Sequence, residues 1–223
     1  MRRCLKALAL SAACAATPLV ANAHPHVFVD GGVDFVIGEG AVLDALAVTW
    51  RYDPFQTLYI LSSLDITPDG DWRLSEEDRR RLIEQESAWA GDFDGTSHLS
   101  IDGKPASLAR PTSVDVRLRG DQMEVTFQRD LVEPASLVGR GVEVAVYEKT
   151  YFYALAVTDT PRILGNGDGD SGGAGCAAEV DRFDPDRDLS ALQVSLFALS
   201  REETPDIEDV GALFADRIVL TCE

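Results

Sequence analysis

The sequence predicts an α+β fold: a mostly antiparallel sheet or sandwich that carries an inserted helix–loop–helix and ends in C-terminal helices. Three observations lead there. Alternating β-branched runs dominate residues 26–50 and 97–164. Two segments between them, 54–64 and 75–90, carry apolar residues at helical spacing, and two further helical segments follow Cys176.

In chain order, "HVFVDGGVDFVI" and "AVLDALAVTW" read as a hairpin turning at "GEG". Asp30 and Asp34 alternate with valine and phenylalanine there and belong on the solvent side of the strand. "PFQTLYILSSL" (54–64) opens with proline at a helix start. The acidic loop "DITPDGDW" leads into "SEEDRRRLIEQESAWA", with Ser75 as N-cap and acids in the first turn. Five short strands then follow, with turns at Asp102-Gly103, Gly120-Asp121 and Gly139–Gly141. "GNGDGDSGGAG" (165–175) is a flexible glycine-rich connection. "LSALQVSLFALS" and "DIEDVGALFADR" read as helices, and "IVLTC" as a closing strand.

The N-terminus predicts export. Arg2, Arg3 and Lys6 precede the short apolar run "ALALSAACAA", and Ala21-Asn22-Ala23 fits signal-peptidase cleavage after Ala23. The rival, lipidation at Cys14, has its leucine one place too early. Residues 1–23 are thus a signal peptide and 24–223 a single α+β domain in the periplasm. Cleavage removes Cys4 and Cys14, which leaves Cys176 and Cys222 to pair as one disulfide in an oxidising compartment. The formal charge is −18, and −21 without the leader (17 basic against 38 acidic residues). Such a chain repels nucleic acid and anionic lipid, and no segment of 24–223 is apolar enough to insert into a membrane.

Cleavage also makes His24 the terminal residue of "HPH". Its α-amine and ring would chelate one metal and the ring of His26 would add a third nitrogen, while the ring of His98 would complete a three-nitrogen site if the strand at 97–102 lies beside the N-terminal strand. Pro25 has no amide hydrogen, which excludes the square-planar motif built on deprotonated backbone amides. "DITPDGDWRLSEED" mimics a calcium loop in two imperfect registers. One begins at Thr67 and uses Asp69, Asp71, Ser75 and Asp78; the other begins at Asp65 and uses Asp69, Gly70 and Glu76. A weak or absent calcium site is the expectation. The aromatics Tyr147, Tyr151, Phe152 and Tyr153 suit either core packing or a ligand cleft. No Ser-His-Asp arrangement, nucleophile elbow, phosphate loop or zinc-protease helix is present in the sequence, which points away from an enzyme.

Six stretches in this order, "AHPHVFVD", "WRYDPF", "PDGDWRLSEED", "HLSIDGKP", "VYEKTYFYA" and "GCAAEV", resemble an uncharacterised family of exported proteins. That family is described as the periplasmic component of an uncharacterised transport system, and its genes commonly lie beside NicO-type nickel/cobalt permeases. The resemblance implies a metal-binding accessory for nickel, cobalt, zinc or copper, with a membrane metal permease as partner. The alternatives are an adaptor of the permease that binds no metal, and a copper oxidoreductase built on the terminal histidine.

Overall fold

The computed structural model describes residues 25–91, 93–165, 175–184 and 207–222. The expected signal peptide and His24, most of the glycine-rich connection and the expected helix at 189–200 lie outside the described residues.

Eleven strands among these residues form two sheets. In the first, β5 (Thr112–Arg119), β6 (Gln122–Ser136), β2 (Val42–Tyr52), β1 (Val27–Gly38) and β8 (Tyr153–Val157) lie side by side. The short β9 (Ile163–Gly165) continues the edge beyond β8, and both run parallel to β1. The second sheet is antiparallel throughout: β10 (Cys176–Asp181), β11 (Asp216–Cys222), β7 (Val142–Val146), β3 (Ser97–Ile101) and β4 (Lys104–Pro105). Alternate residues of both sheets, among them Val33, Phe35, Val48, Val144 and Ile218, enter one shared core.

The expected hairpin forms from β1 and β2, and the helix–loop–helix lies between β2 and β3 as α1 (Pro54–Ser63) and α2 (Glu76–Glu86). Each helix starts where its cap dictates. Asp53 Oδ1 accepts from Gln56 N at 2.8 Å ahead of Pro54, and Ser75 Oγ accepts from Asp78 N at 3.1 Å. α1 is tied to the sheet by Thr57, whose buried hydroxyl accepts from Met123 N at 2.9 Å. α2 inserts Leu82, fully buried, and Arg79 donates to Asp115 and to the Val116 carbonyl of β5.

The α+β expectation is overturned. Of the described residues 48 % are strand and 16 % helical, with only two α-helices, so the chain is a mostly β protein of two sheets. The C-terminal helix expected over "DIEDVGALFADR" is a single 3-10 turn, Val210–Phe214, and β11 already begins at Asp216. Its helical spacing is served by one turn: Val210 and Phe214 bury against Tyr151 and Phe183, after which the chain must extend to pair with β7. Gly211 fixes that turn in place, because a Cβ there would lie 1.9 Å from the Glu148 carbonyl. The Cys176–Cys222 disulfide forms between residues directly opposite each other on β10 and β11.

Candidate functional site

Where α1 and α2 bridge one end of the first sheet they leave a cavity of about 490 Å³. Its floor is the inner face of β2, β1 and β8, presenting Trp50, Tyr52, Val29 and Tyr153. α1 contributes Tyr59 and Ile60, α2 contributes Glu86, and the segment after α2 contributes Trp89 and Phe93. That last segment is pinned by Arg129, a buried cation that donates to the carbonyls of Asp94, Leu108 and Ala109. Gly95 permits the approach, since a Cβ there would lie 2.1 Å from the Arg129 guanidinium.

The walls are an aromatic cluster centred on Trp50, which is 7 % exposed. Edge-on contacts join it to Trp89 (5.8 Å between ring centres), Phe93 (5.9 Å) and Phe127 (4.9 Å), and Trp89 stacks on Phe93 at 4.6 Å. Trp50 Nε1, Trp89 Nε1 and Thr96 Oγ1, all from lining residues, are buried and have no hydrogen-bond partner among the described residues. Each such donor carries an uncompensated desolvation cost of about 1–3 kcal/mol.

Of the ionisable groups lining this cavity, Glu86 is the one shifted to near neutrality. Burial pushes its carboxyl up to about 7, partly opposed by the Tyr52 hydroxyl, which donates to Oε2 at 3.3 Å. It is the last residue of α2, at the negative end of the helix, where an ionised carboxylate is further disfavoured. Tyr52 is raised well above the usual phenol range by burial and then by the charge of Glu86. Tyr153 is raised by burial and then by Glu86 and Glu148, so both carboxyls act on one ring. Among the described lining residues there is no Lys, Arg or His. The arrangement suits recognition of an apolar or aromatic-stacking guest beside a carboxyl that changes charge near neutrality.

The opposite face of the same sheet is wholly different. Cross-strand register places Asp30, Arg51, Glu124 and Arg117 in one row over β1, β2, β6 and β5. Glu124, 3 % exposed, accepts from Arg117 Nε at 2.5 Å and lies 3.2 Å from Arg119 Nε and 3.4 Å from Arg51 Nη1. Arg51 also forks onto Asp159, and Arg162 grips Asp34 through Nε, Nη2 and its backbone N–H. These cations and carboxylates satisfy one another.

The histidines of the expected metal site go to different strands. His26 precedes β1, donates its N–H to the Phe152 carbonyl at 2.9 Å and sets its ring 4.8 Å from that of Phe152. His98 lies on β3 in the other sheet, stacked on Tyr147 at 3.8 Å with Nε2 donating to the Tyr147 carbonyl at 3.2 Å. Burial lowers its pKa, opposed by the nearby Asp94 carboxylate. β3 pairs with β7 and β4 and not with β1, although both histidines bracket the 147–152 segment. No group of three His, Cys, Asp or Glu that could hold a metal forms among the described residues, and His24 lies outside them.

In the acidic loop, Asp69 Oδ1 accepts from Asp71 N at 2.9 Å and Arg73 N at 2.8 Å, closing a turn. Asp78 accepts from Ser75 Oγ at 2.7 Å and pairs with Arg81. Asp65, with φ +51°, and Thr67 line a shallow depression beside Trp72. Of the expected aromatics only Tyr153 reaches the cavity.

Sequence reasoning missed Glu86, Trp50, Tyr52 and Trp89. A signal was present: Glu86 stands four residues after Leu82 and so shares its buried helix face, and Trp50 and Tyr52 share the inward alternation of β2.

A family described as proteins of unknown function, DUF1007, matches residues 9–222. An uncharacterized protein of Haemophilus influenzae is 21 % identical over 202 residues, covering 90 % of this chain and 92 % of its own. No solved structure matches the chain. No helix among the described residues is long and apolar enough to cross a membrane, and the disulfide is compatible with an extracellular or periplasmic location.

Proposed function

The chain belongs to the DUF1007 family of proteins of unknown function, and from that premise we propose that it is an exported, non-enzymatic binding protein serving a membrane permease from the periplasm. Its recognition site is the cavity between the two helices and the first sheet. One observation carries the reading: a volume of about 490 Å³ walled by Trp50, Trp89, Tyr59 and Tyr153 beside the half-buried Glu86, whose carboxyl is pushed up to about 7. A cavity of that size takes a small organic molecule, and the rings supply apolar contact.

The test is native mass spectrometry on protein exported to the periplasm and purified gently. Retained small molecules, lost in Ser63→Trp where an exposed lining position is filled, support the reading. A wild-type protein that carries none, and whose melting temperature answers to no member of a small-molecule panel, sinks it.

A second reading keeps nickel, cobalt, zinc or copper at the N-terminus. The observation favouring it is that the 147–152 segment engages both His26 and His98. Exported protein whose intact mass begins at His24 should then bind one metal ion, and His24→Ala with His26→Ala should abolish the binding. Equal titration curves for wild type and variant would end the metal reading and leave the permease contact as a protein–protein matter.

A further inference from the structure

We infer that the guest of the cavity is a small organic ammonium cation, seated against the rings of Tyr59, Tyr153 and Trp89 with Glu86 as its counter-charge. The inference rests on the cavity being the recognition site and adds the charge and class of the ligand.

Charge decides the sign. Two carboxyl side chains, Glu86 and Glu148, line the volume, and no described lining residue is basic. Elsewhere the fold matches acids of the sheet with arginine: buried Glu124 and Asp34 and the more exposed Asp159 are each gripped by one. Glu148 is engaged by the hydroxyl and N–H of Thr150 and by Phe152 N–H, which leaves Glu86, held only by a 3.3 Å contact from Tyr52, as the carboxyl open to a guest. An anion entering here would meet desolvated negative groups, whereas a cation would be drawn both to them and to the ring faces.

Size and hydration decide the class. A divalent metal ion needs several converging hard or imidazole donors, and no group of three forms among the described residues. Six aromatic side chains, by contrast, form or border the volume. Alkylammonium ions are large and weakly hydrated, and aromatic walls suit them.

A cation beside Glu86 would draw its proton off, so binding tightens as pH rises through about 7. The other titratable groups facing the cavity are Tyr52 from β2, Tyr59 from α1, Tyr153 from β8 and Glu148 after β7. Burial raises Tyr52 and Tyr153, which keeps both phenols neutral over this range.

The experiment titrates the tryptophan fluorescence of the exported protein with choline and with its neutral isostere 3,3-dimethylbutan-1-ol. Choline should bind about tenfold more tightly at pH 8, and its affinity should fall about tenfold by pH 6. Glu86→Gln should remove both the preference and the pH dependence. Tyr59→Leu, at an exposed position that leaves the core intact, should weaken choline about fivefold and spare the isostere. Equal binding of the two ligands would overturn the cation and leave the recognition site standing. Binding of neither at tens of millimolar would overturn both.

Discussion

Two carboxyl groups sit on opposite sides of the same sheet, and the fold treats them in opposite ways. Glu124 lies on the outer face under Arg51, Arg117 and Arg119, so its charge is neutralised where it stands. Glu86 lies over the inner face among aromatic rings with one phenol for company, and burial holds its proton up to about pH 7. The comparison teaches that burial alone does not mark a functional carboxyl. Compensation separates them: the outer carboxylate is matched by guanidinium groups, whereas half-buried Glu86 beside the cavity has one phenol, and on the function proposed above it is there that a guest binds.

Breaking the inner face should have the largest effect. Trp50→Ala removes the ring that touches Trp89, Phe93 and Phe127, and should cost about 4 kcal/mol in urea unfolding. A loss below about 1 kcal/mol would mean that the cluster does not hold the cavity.

Glu124→Leu comes next, at about 3 kcal/mol, because three guanidinium groups lose the carboxylate between them. Half-exposed Arg117 and Arg119 keep the figure at the low end of the range for buried pairs. If the variant is as stable as the wild type, the outer network is ornament and the comparison fails on that side.

Glu86→Gln should act with the opposite sign. Between about pH 4.5 and 7 the folded protein holds a proton at Glu86 that the unfolded chain has released. The stability due to that proton is complete below the ordinary carboxyl value, falls as pH rises through 7, and is gone above it. The variant should therefore lose roughly 2 kcal/mol of the wild type's decline between pH 5 and 8, as a shift of this size allows about 3 at most. Parallel pH–stability curves for the two proteins would show that Glu86 titrates normally.

The smallest effect sharpens the comparison further. Ser75→Ala removes the N-cap of the helix that ends in Glu86 and should cost about 1 kcal/mol. It should also loosen guest binding more than any outer-face change of equal cost, measured side by side with Asp34→Asn.

The local signals in the sequence were legible. The hairpin about Gly40, the helix start at Pro54, the cap Ser75 and the pairing of Cys176 with Cys222 all depend on neighbours in sequence or on simple arithmetic. The C-terminal segment was not, because a helix and a buried 3-10 turn present the same spacing of Val210 and Phe214 until the strand that follows is known to pair with β7. The cavity was hidden for another reason. Its walls come from residues 50, 59, 86, 89 and 153, and only the parallel pairing of β8 with β1, a long-range contact, brings the last of them to the others. The histidines drew attention because metal ligands are conspicuous in a chain with three of them; glutamates are abundant, and none stands out until burial selects one.

The disulfide has one more consequence. It joins opposite residues of β10 and β11, so a protease that cuts the chain anywhere between 176 and 222 does not release the last strand. The two pieces travel together on a non-reducing gel and part only in the presence of a thiol. β11 pairs along its length with β7 in the middle of its sheet, and the nicked protein therefore keeps that sheet assembled as two chains sewn by one stitch.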